Sequence, residues 1–438
     1  MSLKSTFLFC LFALPAYSQY AGPAILSRGD APAAMSGTQI SFRPYFEVTA
    51  IYDTGLAGVG VNTQGELGTT AAAGIQVAGG ISGSHSWRHT TIGLDYRGDI
   101  NHYNKTTFYD GTDQYLALGI RHQFTRHLAL NLRETAGLFD RNYSLGAIQQ
   151  ALPYDPSQTT LPTTDFFDNR TTYLNTQADL IYQRSSRLSF DFGGSGFVNR
   201  RRSTALYGVT GASATGDMQY RLSRRTTIGA NYRYEHYSFT RIFSSTDLHS
   251  FAGTFAMRLS RRFEFTGYGG VTRAETKFVQ IVPVDPAIAA LLGIQSAQQV
   301  SYGIRYVPDF DARLSFIVHN GLFYASGGHL VVPGNGLFLT SEATQLAGGY
   351  NYTGLRRWSF SLNALYNRAN SFGNIVGNYG NEGGSLNASR QIVRNFHMVM
   401  SVTGNRYFSS TFAQYNRPIY AFRFGVGWSP GDVPLRVW

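Results

Sequence analysis

The feature that most constrains this chain is a two-residue alternation of large apolar with small or polar side chains, which recurs from Ser41 to the C-terminus. In Tyr420–Trp428 the large apolar residues share one face, and Ala421, Arg423 and Gly425 share the other. A period of two is that of a β-strand, and a tilted strand needs about nine to eleven residues to cross a bilayer. The repeated segments have that length, whereas strands of soluble proteins average about five or six residues. The pattern therefore predicts membrane-crossing strands rather than a soluble two-sheet sandwich.

The composition supports a membrane location without helices. Charged residues make up 14% of the chain, aromatic residues make up another 14%, and glycines number 48. Ordinary soluble proteins contain about 25% charged residues. After the leading segment, no apolar run is long enough for a transmembrane helix. Only a closed barrel satisfies all backbone polar groups in hydrocarbon without helices, so we expect an all-β, closed antiparallel transmembrane barrel.

Tight polar turns alternate with long connections. The turns Arg221–Arg225 and Arg258–Arg262 are near-copies, each reading Arg-Leu-Ser-Arg-Arg. Six further segments occupy equivalent positions: 84–89, 124–127, 183–187, 307–311, 353–357 and 393–396. These turns predict eighteen strands, or sixteen if one hairpin is misread, and both numbers are even, as single-chain bacterial barrels require. Short turns of such barrels face the periplasm and long loops face outside, so the same orientation is expected here.

The ends of the chain have separate interpretations. Residues 1–18 have a cationic start, a short apolar core and a small-x-small cleavage site, which together indicate a secretory signal peptide. The sole cysteine, Cys10, lies inside it, so the mature chain would lack disulfides and thiolate metal sites. We expect residues 19–40 to form a short periplasmic segment, 41–428 the barrel, and 429–438 a C-terminal tail.

With a signal peptide, alternating strands and tight turns opposite long loops, the chain resembles bacterial outer-membrane porins in the broad sense. Tyr420–Trp428 resembles the aromatic C-terminal signal read by the barrel-assembly machinery, although ten residues, Ser429–Trp438, follow it. The resemblance implies a bacterial outer-membrane location. It also implies contact with outer-membrane lipid and lipopolysaccharide and with the assembly machinery, and it is compatible with a homo-oligomer.

Charged side chains fall on the inward face of the predicted strands, since charges facing lipid near the midplane would cost several kcal/mol. The predicted pore-lining residues are Arg97, Arg121, Arg133, Arg233, Arg258, Arg305, Arg423, Glu47, Asp95, Asp179, Asp191, Glu235 and Glu264. These charges either form a selective lining or neutralise one another across strands and stiffen the barrel.

Arg97, Arg121 and Arg133 lie on three consecutive strands, so an arginine ladder at one height is one hypothesis. The connection 142–170 is the third long loop and carries Asp155, Asp165 and Asp168. If that loop folds inward, its carboxylates would face the ladder across a constriction.

No motif for catalysis or metal binding is apparent. Gly193–Phe197 lacks the last glycine of a nucleophile elbow, and the ten histidines have no metal-ligand spacing. We therefore expect neither an enzyme nor a cofactor or metal. The net charge of +11 is spread singly along the strands, which argues against nucleic-acid binding.

The leading hypothesis is a channel for passive diffusion of small hydrophilic solutes, with a mild preference for anions. The alternative is a barrel without a transport function, acting in secretion, polysaccharide export or adhesion. A channel requires a continuous water path, whereas a scaffold can be plugged by side chains or loops.

Overall fold

The structure is a computed structural model of the 438-residue chain. It describes residues 39–61, 67–105, 110–139, 170–285, 287, 290, 291, 293, 295–318, 321–334, 336–352, 354, 355, 357–372, 377–410, 416–429 and 433–436. The predicted signal peptide 1–18 and the loop segment 142–169 lie outside the described residues.

The described chain consists almost entirely of β-strands. Their bounds are β1 Gln39–Val61, β2 Leu67–Ser86, β3 Thr90–Tyr103, β4 Gly111–Gln123, β5 Leu128–Phe139, β6 Thr171–Gln183, β7 Leu188–Arg201, β8 Val209–Arg221, β9 Thr226–Phe239, β10 Ser244–Arg258, β11 Phe263–Pro283, β12 Ser296–Val318, β13 Gly321–Val332, β14 Ser341–Tyr352, β15 Trp358–Ser371, β16 Gly377–Val393, β17 Phe396–Ser409, β18 Arg417–Trp428 and β19 Val433–Arg436.

Each of the first seventeen strands pairs antiparallel with the next, and β18 returns to pair with β1. At this seam Phe46 lies opposite Trp428, and Thr54 lies opposite Tyr420. The sheet therefore closes into a barrel of eighteen strands, which confirms the predicted number and leaves no unpaired edge at the seam. Beyond β18, the short β19 in the C-terminal tail pairs with the first residues of β1, from Gln39 to Phe42.

One predicted turn is wrong. Residues 307–311 lie inside β12, which pairs with β11 from Ser296 to Phe316. The reversal follows Val318 instead, because β13 begins at Gly321 and pairs back onto the end of β12. The misleading signal was Pro308 among aspartates. Pro308 lies beyond the last pair between β12 and β13, and proline is tolerated at such a strand edge.

The two faces of the barrel differ as the alternation predicts. On β18 the outward side chains of Phe422, Phe424 and Val426 are 45%, 56% and 47% exposed. Inward positions such as Asn363 and Asn405 are buried and polar. In the part of the chain that the structure describes, no helix is long and apolar enough to cross a membrane.

Three tryptophans lie at the end of the barrel that carries the tight turns. Trp87 follows β2, Trp358 begins β15 and Trp428 ends β18. The guanidinium of Arg390 stacks over the Trp358 ring, 5.3 Å from its centroid. Indole rings and long cationic side chains are typical of a membrane–water interface, so this end has the side chains of a membrane boundary.

Candidate pore constriction

A loop at the opposite end of the barrel folds into the lumen. Residues 333–340, called the inward loop below, join β13 to β14. Phe338, Leu339 and Thr340 are at most 2% exposed. Connections between strands normally run over the surface, where their polar backbone meets water. A loop this deeply buried must lie inside the barrel wall.

Two glycines give the inward loop its shape. Gly334 and Gly336 have φ angles of +72° and +89°, a region that L side chains rarely adopt. A Cβ on Gly334 would lie 2.0 Å from the Leu339 carbonyl oxygen, so the loop turns back on itself there. A Cβ on Gly336 would lie 2.5 Å from Nε of Arg201 and 2.8 Å from the carbonyl oxygen of Tyr207. Only glycine allows these close approaches.

Hydrogen bonds and ring stacking anchor the loop to the barrel wall. The hydroxyls of Thr246 and Thr340 are 2.6 Å apart, and the Phe372 amide donates to the Thr340 carbonyl at 3.1 Å. Phe338 stacks on Tyr379 with ring centroids 4.4 Å apart and nearly parallel planes. The inward loop is therefore fastened to β10, β15 and β16 at once.

Apolar packing fills the space beneath these anchors. One buried cluster combines wall residues of β7 to β13 with a residue of the inward loop and one that follows β15. Its members are Phe197, Val209, Tyr237, Phe239, Leu248, Ala274, Val307, Val331, Leu339 and Phe372. These wall residues lie in the halves of their strands nearest the long loops, except Val307, which lies at the middle of β12. The inward loop and this cluster therefore fill the lumen along β7–β15 in its long-loop half.

The connection 202–208, between β7 and β8, forms the far anchor of the inward loop. Its Tyr207 amide donates to the Gly336 carbonyl at 2.9 Å. Arg241 holds this connection by donating to the carbonyls of Ser203 at 3.0 Å and Leu206 at 2.8 Å. Arg241 has a φ of +67°, an unfavourable conformation for a non-glycine residue that these bonds offset.

The opposite side of the lumen is solvated. Arg97 donates to both carboxylate oxygens of Asp95, at 3.1 Å and 2.8 Å. Both side chains point inward, yet they are 41% and 30% exposed. On the adjacent strand a Cβ on Gly119, which also points inward, would meet no heavy atom within 4 Å. Among the described residues, inward side chains with this exposure border an open space beside β3–β5.

The predicted pore-lining residues have different surroundings. Arg233 pairs at 3.1 Å with Asp309, which also accepts from Thr272, and Glu235 is only 4% exposed. Arg305 lies over the Phe372 ring, 4.9 Å from its centroid. Arg258 and Glu264 face each other across β10 and β11, 3.9 Å apart. Part of the predicted lining therefore belongs to the packed wall, and part faces solvent.

The three arginines of the ladder hypothesis lie at different positions along their strands. Arg133 of β5 lies opposite Gly119 of β4, and Gly119 lies opposite Gly93 of β3. Gly93 is four residues before Arg97 on the same strand. Arg121 is opposite Thr91, six residues from Arg97. At about 3.3 Å per residue, these offsets are about 13 Å and about 20 Å along the strand. The register thus offsets the three arginines along their strands, and the Tyr115 side chain interacts with both Arg97 and Arg133.

Two other sectors have distinct chemistry. Asp179, Asp191 and Asp217 face the lumen from β6, β7 and β8, and the last two are directly opposite each other. The sector β15–β17 presents neutral amides, among them Asn363, Asn381 and Asn405. In the described part of the chain, no group of three or more histidine, cysteine, aspartate or glutamate side chains could hold a metal ion.

Sequence reasoning missed the inward loop and the amide sector. Asp155, Asp165 and Asp168 lie outside the described residues, so their constriction stays a prediction, while residues 333–340 constrict another side of the lumen. The signal for the inward loop was Leu337-Phe338-Leu339, an apolar run just after the glycines of a long connection. Apolar residues in such a loop need burial that only the lumen offers.

A closed antiparallel barrel with an apolar outer face and a polar inner face is the architecture of bacterial outer-membrane β-barrels. The chain has the architecture of this class.

Comparison with known proteins gives similarities of fold alone. No protein-family model matches the chain, and no curated protein matches it. OpdQ of Pseudomonas aeruginosa is similar at TM-score 0.41 and 10% identity, over 90% of this chain and 98% of that one. OccK5 (OpdH) of the same organism is similar at TM-score 0.41 and 14% identity, over 91% of this chain and 98% of that one. A BenF-like porin from Pseudomonas fluorescens Pf-5 is similar at TM-score 0.41 and 10% identity, over 90% of this chain and 99% of that one. No functional conclusion follows from likenesses at this level.

Proposed function

We propose that this barrel is an outer-membrane channel for the passive diffusion of small hydrophilic solutes. The observation that carries the proposal is the exposure of Arg97 and Asp95, which point into the barrel and yet contact solvent. A barrel filled by its own side chains would bury this pair. The water path runs along β3–β5, on the side of the lumen away from the inward loop.

The charge of the lining gives the channel a mild preference for anions. The chain has 37 lysine and arginine residues against 26 aspartate and glutamate residues, and arginines line the solvated sector. Arg423 interacts electrostatically with Glu47 and Asp99, so part of this positive charge is neutralised locally. Charged side chains along a pore select ions by sign, and the preference scales with the charge that stays unpaired.

The second candidate is a barrel that serves secretion, polysaccharide export or adhesion without a free water path. The apolar cluster beneath the inward loop favours it, since that cluster fills part of the lumen. The two functions differ in whether ions pass through the solvated sector.

Cysteine substitution at two matched glycines separates the functions. At both Gly119 and Gly216, a Cβ would meet no heavy atom within 4 Å. Gly119 points inward between the outward Leu118 and Ile120, while Gly216 points outward like Met218. In planar bilayers, a bulky water-soluble thiol reagent should lower the single-channel conductance of Gly119→Cys and leave that of Gly216→Cys unchanged. Absence of ion conductance in the folded wild-type barrel would contradict the channel function.

A further inference from the structure

A group of polar and charged side chains faces outward on four adjacent strands, β9 to β12. It comprises Tyr234, His236, Asp247, His249, Arg273, Glu275, Lys277 and Tyr302, and is called the outer polar cluster below. The register fixes its arrangement: His249 lies opposite both Tyr234 and Arg273, and Asp247 lies opposite both His236 and Glu275. Side chains at neighbouring positions on one face of a sheet contact each other.

The outer polar cluster adjoins the lipid-facing apolar surface. Along β10 the outward residues Asp247 and His249 are followed, toward the tight-turn end, by Phe251, which is 64% exposed. Along β11, Val271 is 46% exposed and Arg273 is the next outward residue. Successive outward residues of a strand lie about 7 Å apart. Arg273 is therefore one outward position from the apolar surface, and Lys277 is two outward positions further toward the long loops.

The carboxylates of the cluster are occupied by donors within it. Asp247 accepts from the Tyr234 hydroxyl at 2.8 Å and contacts Nδ1 of His236 at 2.8 Å. Glu275 accepts from the Tyr302 hydroxyl and from Arg273, whose Nη1 lies 2.6 Å away. Two like-charged residues directly opposite each other, as Asp247 and Glu275 are, would otherwise repel. The network holds both acids in place and leaves the cations at the surface.

The cations retain donors that face outward. The Arg273 side chain is 40% exposed, and a guanidinium carries five N–H donors, of which Glu275 takes a share. Lys277, four residues beyond Arg273 toward the long loops, is exposed. On β12, Val300, Ile304 and Tyr306 offer an apolar border that is 58%, 45% and 68% exposed. Cationic donors beside an exposed apolar wall fit a molecule with an anionic head and an apolar tail.

We propose that the outer polar cluster binds the phosphate-bearing headgroup of a glycolipid in the leaflet at the long-loop end. Arg273 and Lys277 contact the phosphate, since guanidinium and ammonium groups form short, charge-assisted bonds with phosphate oxygens. The Tyr234 and Tyr302 rings and the histidines lie where sugar hydroxyls would be, and the acyl chains continue along the apolar surface below. The site is separate from the lumen and independent of solute passage.

Binding by the detergent-purified barrel tests the proposal. A bisphosphorylated glycolipid and the same lipid without phosphate are compared by native mass spectrometry. Loss of a charge-assisted bond costs about 1.5–3 kcal/mol, which corresponds to about a tenfold or larger change in affinity. The wild-type barrel should therefore retain the phosphorylated lipid at least about tenfold more tightly, and Arg273→Gln with Lys277→Gln should abolish that difference.

The matched control is the double variant Arg224→Gln and Arg261→Gln, which removes two exposed arginines from the tight turns at the other end of the barrel. It should bind the phosphorylated lipid as tightly as the wild type does. The single variant Lys277→Gln changes one exposed side chain and should show an intermediate affinity while its conductance stays that of the wild type. Equal retention of both lipids by the wild type would overturn the proposal. So would an equal loss in the control variant, because binding would then follow net charge alone.

Discussion

The backbone amide of Tyr207 donates to the backbone carbonyl of Gly336 at 2.9 Å, which joins two connections that are separated by four strands of the barrel. One connection links β7 to β8 and the other is the inward loop between β13 and β14. This bond closes one side of the lumen. In the proposed channel, the width of the solute path therefore depends on whether the inward loop stays docked.

Replacing Gly336 with alanine should undock the inward loop and raise the single-channel conductance. Its Cβ would lie 2.8 Å from the backbone oxygen of Tyr207, which cannot move without breaking the anchor. Gly293→Ala is the control, since Gly293 has a φ of +67° but open space around it. Both changes cost about 1–2 kcal/mol in backbone strain, and Gly336→Ala should lose about 1–3 kcal/mol more from overpacking. Thermal unfolding measures the loss of stability in each variant. Equal conductance of the two variants would mean that the inward loop does not limit the conductance.

The ion pair between Arg97 and Asp95 should control ion selectivity in both directions. Asp95→Asn frees the charge of Arg97 and should shift the reversal potential under a salt gradient toward anion preference. Arg97→Gln leaves Asp95 unpaired and should shift it toward cation preference. The double variant should return close to the wild type, because the pair is neutral. Each shift should grow at low ionic strength, where screening is weaker. Identical reversal potentials in all four proteins would place the ion path elsewhere.

The orientation of the barrel can be tested by surface labelling of intact cells. Leu291, in the long connection after β11, is 84% exposed, and Ser223 lies in the tight turn after β8. A membrane-impermeant maleimide should label Leu291→Cys on intact cells and Ser223→Cys only after the outer membrane is permeabilised. The reverse pattern would invert the orientation, and with it the leaflet that holds the outer polar cluster.

Glu134 faces outward near the middle of β5, and removing its charge should stabilise the barrel in lipid. It lies opposite Leu118 and Thr176, and the Thr176 hydroxyl donates to its carboxylate at 2.6 Å. A carboxylate facing hydrocarbon is unfavourable, so Glu134→Leu should raise the free energy of unfolding in vesicles by about 1–2 kcal/mol. Thr176→Val, which removes the hydroxyl that bonds the carboxylate, should lower it. A loss of stability in Glu134→Leu would mean that another subunit, rather than lipid, covers this face.

The sequence by itself determined the class of fold, the strand number and the orientation of each strand's faces. The two-residue alternation recurs in segments long enough to cross a membrane, so these segments are membrane-crossing strands. In hydrocarbon, strands can hydrogen-bond all their backbone N–H and C=O groups only in a closed sheet. Residues such as Phe422 and Arg423 take their faces from alternation alone, which is a local property of a strand. The turn assigned to 307–311 failed because Pro308 is also tolerated at a strand edge, and the local sequence does not distinguish the two.

The tertiary structure alone decided how the lumen is divided. The contact of Gly336 with Tyr207 joins segments more than a hundred residues apart, and neither segment carries a local pattern that names its partner. The offsets of Arg97, Arg121 and Arg133 along their strands follow from the register between strands, which accumulates across the sheet. Alternation specifies the face on which a side chain lies, whereas its height, its ion-pair partner and its contact with water depend on strands and loops that only closure of the barrel brings together.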